Sequence, residues 1–370
     1  MRIGFIIYGS LDTLSGGYLY DRIVVRGLRR LGHEVEIISL SGGPYLRRLW
    51  QGMSPRLFFR LSTGGFDVLV QDELCHPSLF IVNKRLRRQA GPPLVALVHH
   101  ALSQEPRRRW QNRLLAMVEK SFLASVDGFI HNSKTTRKTV ASLVKHDRPQ
   151  VIAYPAGDRF KSPLSSADIG RRARRSGPLE LLFLGNVVHR KGLLPLLMAL
   201  AGVAKEVWRL TIVGDLNFDP AHAAMARQLT RQLDLADAVQ FKGPVQDEEL
   251  LGIFGTSHIF CMPYAYEGFG IAILEAMAFG LPAIGCRDGA AAETIRHGIN
   301  GFLLSPCDLN RLAPLLTSWH QNREKLLQMG LAARATYTNS PTWQDGVKAI
   351  DGFLRKLKAG PERVKNIGGE

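Results

Sequence analysis

Apolar and polar positions along this chain alternate between short runs that suit buried strands and longer stretches of helical period, and the alternation occurs in two blocks. In the first block RIGFIIYG (2–9) reads as a strand, a Gly-Gly turn at Gly16-Gly17 opens a helix through Leu31, and HEVEIISL (33–40) returns as a strand. Runs at 66–71, 94–99, 128–132 and 151–154 complete that block. The second block holds runs at 179–185, 208–214, 239–242, 258–263, 282–286 and 301–304, again with helical stretches between them. Short apolar strands separated by helices predict a parallel sheet covered on both faces. The expected fold class is therefore α/β, with two doubly wound, Rossmann-like domains facing each other across a cleft.

Between the blocks, KSPLSSADIGRRARRSG (161–177) is polar, lacks aromatics and carries four arginines, which predicts an exposed linker. The expected organisation is a first domain over 1–160, the linker over 161–177, a second domain over 178–340 and a closing segment over 341–370. The end of that segment, 356–370, is rich in Gly, Pro and Lys and is expected to fray. A chain of 370 residues is long for one domain and comfortable for two. In open α/β sheets ligands bind beyond the carboxyl ends of the strands, so functional residues are expected just after strands.

The longest motif lies in such a place. After the run at 258–263 comes EGFGIAILEAMAFGLP (267–282), a short loop with two glycines that enters a helix ended by Gly280 and Pro282. A glycine-lined strand-to-helix turn offers bare backbone N–H groups and the positive end of a helix dipole, which together suit an anion. Gly268 and Gly270 leave room for a diphosphate against the backbone. Glu275 falls nearly two turns into an apolar helix, where a carboxylate is costly unless paired. Ribose hydroxyls would pair it, and so would neighbouring backbone or a lysine. A second motif, FLGNVVHRKG (183–192), runs from a strand into a helix start and places Arg190 and Lys191 ahead of a glycine. Adjacent cations suit a diphosphate whose charge grows as it leaves. They also suit a plain solvated loop.

The first motif resembles the E-x7-E signature of the retaining family 4 (group 1) glycosyltransferases, and the match continues through EAMAFGLPAIG. The resemblance implies the two-domain GT-B fold and a hexosyltransferase-type reaction, in which sugar passes from a nucleotide diphosphate sugar to a lipid-linked, polysaccharide or other glycan acceptor with retention. It implies that Glu275 binds the ribose hydroxyls, that Glu267 lies by the donor sugar, and that the backbone of Gly268, Phe269, Gly270 and Ile271 contacts the donor. Arg190 and Lys191, beyond Gly185, fall where the family holds a basic pair on the diphosphate. Many members have Gly-Arg where this chain has Gly185-Asn186, so no phosphate contact is expected of Asn186. Lys242-Gly243-Pro244-Val245 is similar to the segment whose backbone meets the base. Asp288–Glu293 and Asn300-Gly301 look like family elements that cap helices and turn the chain. In the first half, Gly16 and Gly17 sit where the family has a glycine turn near donor phosphate and acceptor. A histidine after the 94–99 strand is common there, with His99 the first choice and His100 the second, acceptor-side, choice. Trp343 and the helix after it resemble the last family helix, which crosses back onto the first domain.

Charge modifies this picture. The chain carries a formal +16; residues 1–160 hold 24 Lys and Arg against 12 Asp and Glu, so +12 of the excess is in the first half. Such a field favours an anionic partner, or serves solubility alone. The region 45–66 mixes Arg47, Arg48, Arg56 and Arg60 with Trp50, Leu57, Phe58 and Phe59, which fits an anionic membrane surface or a solvated basic face. No nucleic-acid recognition motif accompanies the basic residues, so nucleic acid is not expected as a partner. No D-x-D occurs, so no metal or other cofactor is expected, because a metal-bridged diphosphate would need paired carboxylates. No run reaches the ~20 apolar residues of a membrane span. The N-terminal run is too short for a signal peptide. The four cysteines show no metal or disulfide spacing. The expected location is cytoplasmic, with peripheral membrane contact. A nucleotide-sugar epimerase of the same fold, a catalytically silent scaffold and a basic nucleic-acid binder are the competing readings.

Overall fold

The computed structural model describes residues 1–105, 107–160, 164–262 and 268–360. The chain divides into two compact units, Met1–Pro155 with the segment from Trp343, and Ala156–Thr342.

The first unit opens with β1 (Arg2–Tyr8), α1 (Gly16–Arg30), β2 (Glu34–Leu40), α2 (Tyr45–Gln51) and α3 (Pro55–Thr63). It continues with β3 (Val68–Asp72), α4 (His76–Arg88), β4 (Leu94–Val98), α5 (Arg109–Leu123), β5 (Gly128–His131), α6 (Lys134–Leu143) and β6 (Gln150–Ile152). Its sheet is parallel throughout in the order β2-β1-β3-β4-β5-β6. Central strands β3 and β4 are buried at every position; β4 is accordingly an unbroken apolar run, and β3 is apolar up to Gln71 and Asp72 at its carboxyl end.

The second unit begins with α7 (Ser166–Ala173), β7 (Leu179–Leu184), α8 (Leu193–Leu200), β8 (Trp208–Val213), α9 (Pro220–Gln232) and β9 (Val239–Gly243). There follow α10 (Asp247–Thr256), β10 (Ile259–Met262), α11 (Ile271–Ala278), β11 (Ala283–Cys286), α12 (Ala291–Thr294), β12 (Gly301–Leu304), α13 (Leu312–Gln321) and α14 (Arg323–Thr338). This sheet is also parallel, in the order β12-β11-β10-β7-β8-β9. Trp208, Phe183, Phe260 and Trp319 are among the large side chains fully enclosed in its core.

The last helix, α15 (Trp343–Ala359), belongs to the first unit. It packs on α1 so tightly that a methyl group on Gly27 would meet Val347 Cγ2 at 2.6 Å. His33 Nε2 lies 2.6 Å from Asp351, and Lys358 pairs with Asp67 at 2.8 Å. Helix therefore persists to Ala359, and the stretch 356–359 is not frayed.

The expected linker at 161–177 needs correction. Residues 166–173 form α7, whose Ile169, Gly170, Arg172 and Ala173 are buried in the second unit. Arg172 donates to the carbonyls of Phe254 (3.3 Å) and Gly280 (3.0 Å), so a guanidinium that looked solvent-facing closes buried backbone acceptors. Ser165 caps the helix by accepting from the Asp168 N–H. The unit boundary accordingly falls at 155/156, ahead of the residues read as a linker.

Candidate functional site

In the second unit the strand order reverses between β7 and β10, which are paired neighbours. Such a switch point splays the two following loops apart and opens a crevice at the carboxyl ends of the strands. The two motifs singled out in the sequence are the loops that leave those two strands.

After β7, the backbone of Gly185 packs so closely on Gly214 that no side chain fits at Gly214. The Gly185 carbonyl oxygen lies 2.1 Å from where a Cβ on Gly214 would stand, and the Gly185 N–H donates to Val213 O at 2.9 Å. Val187 N–H donates to Asp215 O at 3.1 Å, so the loop is pinned along the end of β8. Residues His189–Lys191 then form a single 3-10 turn leading into α8. The Lys191 side chain folds back over Gly185, with Cε 3.6 Å and Nζ 4.0 Å from the position of a glycine Cβ. Arg190 is half-buried and makes no ion pair or hydrogen bond among the described residues. Asn186 accepts from the Asp215 N–H at 3.4 Å, which suits a loop-fixing role.

After β10, Glu267 lies outside the described residues. Gly268 is half-buried, Phe269 and Gly270 are buried, and Ile271 starts α11. Gly270 takes φ +88°, a left-handed conformation that explains the glycine at the helix cap. Glu275 is 3% exposed. One of its oxygens, Oε1, accepts from Arg159 Nε at 2.8 Å, and Arg159 Nη1 reaches Asp247 Oδ1 at 3.0 Å. The other oxygen, Oε2, has no hydrogen-bond partner among the described residues, and it is not one of the enclosed orphan atoms. Burial pushes the Glu275 carboxyl above the ordinary carboxylate range, and Arg159 offsets part of that. The carboxylate is thus half-satisfied, with one acceptor still open.

Arg159 escaped the sequence reading. Its signal was the cost of an apolar-helix glutamate, which calls for a cation somewhere; nothing local indicates which, because the partner is 116 positions away. Its guanidinium also stacks over Phe160 at 4.1 Å. Val245 is half-buried in the loop after β9, shortly before Asp247 begins α10. Asn300 is fully buried, accepts from Arg296 N–H at 2.7 Å and donates to Thr294 O at 3.0 Å, a chain-turning role.

In the first unit, Gly16 and Gly17 are the first residues of α1, capped by Ser15. His99, just past β4, packs against that turn: a Cβ on Gly17 would lie 3.5 Å from its ring. His100 turns instead to Glu105, 3.0 Å away. Gly16, Gly17 and His99 are therefore brought together, and His100 is not part of their group.

The second-unit arrangement offers a helix N-terminus, an ammonium over a bare backbone turn and an open carboxylate oxygen. A group with both negative charge and paired hydroxyls matches all three. Residues 22–155 match the family model described as Glycosyltransferase Family 4, and residues 166–336 match Glycosyl transferases group 1. The chain is 30% identical over 208 residues to the GDP-mannose-dependent alpha-(1-6)-phosphatidylinositol monomannoside mannosyltransferase of Mycobacterium tuberculosis, covering 54% of this chain and 53% of that protein. The match therefore spans about half of that relative's length. It is 24% identical to the MMP alpha-(1->4)-mannosyltransferase of Mycolicibacterium hassiacum, over 93% of this chain and 95% of that one. Among solved structures, sucrose-phosphate synthase from Thermosynechococcus elongatus superposes with TM-score 0.81 at 20% identity, covering 97% and 99% of the two chains. HepE of Anabaena, in complex with UDP and glucose, gives 0.76 at 20% identity over 96% and 99%. At that identity the likeness is one of fold.

Proposed function

The chain belongs to the family 4, group 1 glycosyltransferases and has their GT-B fold, and from that premise we propose that it transfers a sugar from a nucleoside diphosphate donor with retention and without a metal. The observation that carries this reading is the juxtaposition at the second unit's switch point: Lys191 over Gly185 after β7, and the open Oε2 of Glu275 in α11 after β10. Ribose hydroxyls donate to that oxygen, while Arg159 keeps the other one occupied. As the bond between the anomeric carbon and the β-phosphate oxygen breaks, negative charge collects on the diphosphate. Lys191, Arg190 and the amides at Gly268–Ile271 neutralise it, supplying charge that a divalent cation otherwise would. The acceptor hydroxyl attacks from the face the diphosphate leaves, and the departing phosphate takes its proton. Glu267, by its place in the motif, acts at the donor sugar, and Val245 lies on the side of the base. A thermal-shift panel of UDP-, GDP-, ADP- and TDP-sugars in chelator tests the reading. At a hundredfold excess over Kd, one of them is expected to raise Tm by roughly 5 °C. Lys191→Ala is expected to remove that shift; no response to any nucleotide sugar contradicts the reading.

The acceptor we propose is lipid-linked and met at an anionic membrane surface, on the cytoplasmic side. The mannosyltransferase relative acts, by its name, on a phosphatidylinositol mannoside. In the first unit α2 and α3 leave Trp50 (70%), Phe59 (67%), Leu46 and Met53 exposed beside Arg47 and Arg56, and α5 exposes Trp110, Leu114 and Met117 beside Arg109 and Arg113. Both groups flank α4 on one layer of the unit. No helix among the described residues is long and apolar enough to cross a membrane. Aromatic and arginine side chains in one exposed layer suit interfacial insertion plus attraction to acidic headgroups, about 1 kcal/mol per cation. Co-sedimentation with phosphatidylglycerol vesicles at low salt is expected, and phosphatidylcholine vesicles should bind much less. The double variant Trp50→Ser, Phe59→Ser is expected to lose roughly tenfold or more in partitioning without loss of fold, since both rings are solvent-facing. Absence of binding at low salt removes this part of the proposal.

A further inference from the structure

The first unit buries two carboxylates and an imidazole that the transfer reaction does not use. Glu73 follows β3 on a 3-10 turn, Glu73–Cys75, that runs straight into α4, whose first residue is His76. On such a turn side chains three apart stack over one another, so Glu73 and His76 share a face. Cys75, between them, turns to the Ile6 carbonyl at 4.0 Å. Glu119 reaches the same place from the buried side of α5. One oxygen of each carboxylate and a ring nitrogen of His76 lie within 4.8 Å of one another, and none of the three residues is more than 1% exposed. Their outer partners divide unevenly. Glu119 is fixed on both oxygens: Oε1 accepts from the Leu102 N–H at 2.7 Å, and Oε2 accepts from the Ser103 hydroxyl. His76 is fixed on both nitrogens, with Nε2 3.1 Å from Tyr45 Oη and Nδ1 3.0 Å from the Glu73 carbonyl oxygen. Glu73 is fixed on neither. Both of its carboxylate oxygens are enclosed and have no hydrogen-bond partner among the described residues. Its Oε1 lies 3.0 Å from His76 Nδ1, so the side chain is aimed into the cluster, yet the proton of that nitrogen goes to the carbonyl. A buried carboxylate that faces a second one, with no lysine or arginine bonded to it, is costly as it stands.

We propose that Glu73, His76 and Glu119 form a structural site for a divalent first-row transition ion, with Glu73 supplying the oxygens that the fold leaves open. Two carboxylates and one imidazole suit Zn²⁺ or Mn²⁺, whereas Mg²⁺ and Ca²⁺ take oxygen ligands and gain little from the nitrogen. Binding moves the ring proton of His76 from Nδ1 to Nε2, where it donates to Tyr45 Oη, and leaves Nδ1 free to face the ion beside Glu73. The Leu102 and Ser103 bonds hold Glu119 in place throughout. Tyr45 belongs to α2, His76 to α4 and Glu119 to α5, so an ion here ties together the helices of the layer that exposes Trp50 and Trp110. A second buried group of the same residue types, Asp21, Asp72 and His99, closes on itself through a 2.9 Å bond between Asp21 Oδ1 and His99 Nε2, and provides the control.

Full-length protein stripped with chelator, and then dialysed free of it, is titrated calorimetrically with zinc chloride at about pH 7.5, where the ligands can shed their protons to the metal. One equivalent is expected to bind with a Kd of about 1 μM or below, and a hundredfold excess over that Kd should raise Tm by roughly 5 °C. Glu119→Gln should weaken binding by at least about a hundredfold, and Tyr45→Phe, which removes only the partner of His76 Nε2, by about tenfold. Asp21→Asn should take up zinc as the parent chain does. With Co²⁺ in place of Zn²⁺, visible absorption bands should grow to one equivalent in the parent chain and be lost in Glu119→Gln. If Glu119→Gln fails to fold, Tyr45→Phe decides, since its ring is half-buried and only a hydroxyl is lost. No zinc uptake by the parent chain overturns the proposal and leaves a proton shared between Glu73 and Glu119. Equal uptake by the parent chain and Glu119→Gln, or a loss confined to Asp21→Asn, overturns it by putting the ion elsewhere. The inference does not rest on the transferase reading: zinc uptake is measured with no nucleotide present, and the nucleotide shift is measured in chelator, so either can fail alone.

Discussion

Glu275→Ala is expected to weaken binding of a nucleoside diphosphate by about a hundredfold, because two hydrogen bonds to a charged acceptor are worth roughly 1.5–3 kcal/mol each and only part is recovered by water. The structure sharpens this expectation. Oε1 is already committed to Arg159 at 2.8 Å, so a ribose competes with no other group for Oε2. Arg159 keeps Asp247 at 3.0 Å in the variant, so its guanidinium is not stranded and the loss of affinity is not a loss of fold. Isothermal titration of the variant beside the parent chain measures the effect. Equal affinities would show that the carboxylate serves Arg159 alone, as a buried ion pair with no ligand role.

Gly214→Ala is expected to cost on the order of 4 kcal/mol or more and to leave little soluble protein. The residue has φ +148°, and its Cβ would stand 2.1 Å from Gly185 O and 2.4 Å from Gly185 C. Both are backbone atoms at the ends of paired strands, and neither can swing aside. The clash displaces the turn that carries Arg190 and Lys191, so surviving protein should also bind nucleotide poorly. Gly252→Ala is the control. It sits inside α10 with nothing within 4 Å of the added methyl, and alanine there should be neutral or stabilising by up to about 1 kcal/mol. Urea denaturation of both variants is the measurement; similar midpoints would mean that the β7 and β8 ends yield more readily than their packing implies.

The parallel sheets were legible because their strands are buried on both faces and their apolar runs are short and unbroken, as at 94–98 and 259–262. The glycines and the Arg-Lys pair of the candidate site stood out for a related reason: they lie in the segments that follow β7 and β10, where open α/β sheets put ligands. What stayed hidden depends on distant partners. Arg172 counted as one more solvated arginine in a polar stretch, yet its spacing from Ile169 and Ala173 makes it part of one helix face, buried over the Phe254 and Gly280 carbonyls. Arg159 and Glu275, and likewise Asp21 and His99, lie far apart in sequence and meet only through the sheet order. The different surroundings of His99 and His100 depend on side-chain direction at a strand end, which composition does not carry; Gly17 receives one ring and Glu105 the other.

Neutralisation of a diphosphate by the second unit's own cations at a helix N-terminus is the step we propose for this fold. Its most direct test is a crystal soaked in chelator with the nucleotide that gives the largest thermal shift. The diphosphate should lie within hydrogen-bond reach of Lys191 Nζ, of Arg190 and of the amides at Gly268–Ile271, with the ribose on Glu275 Oε2. Nucleotide bound elsewhere, with Arg190 and Lys191 turned to solvent, would contradict it.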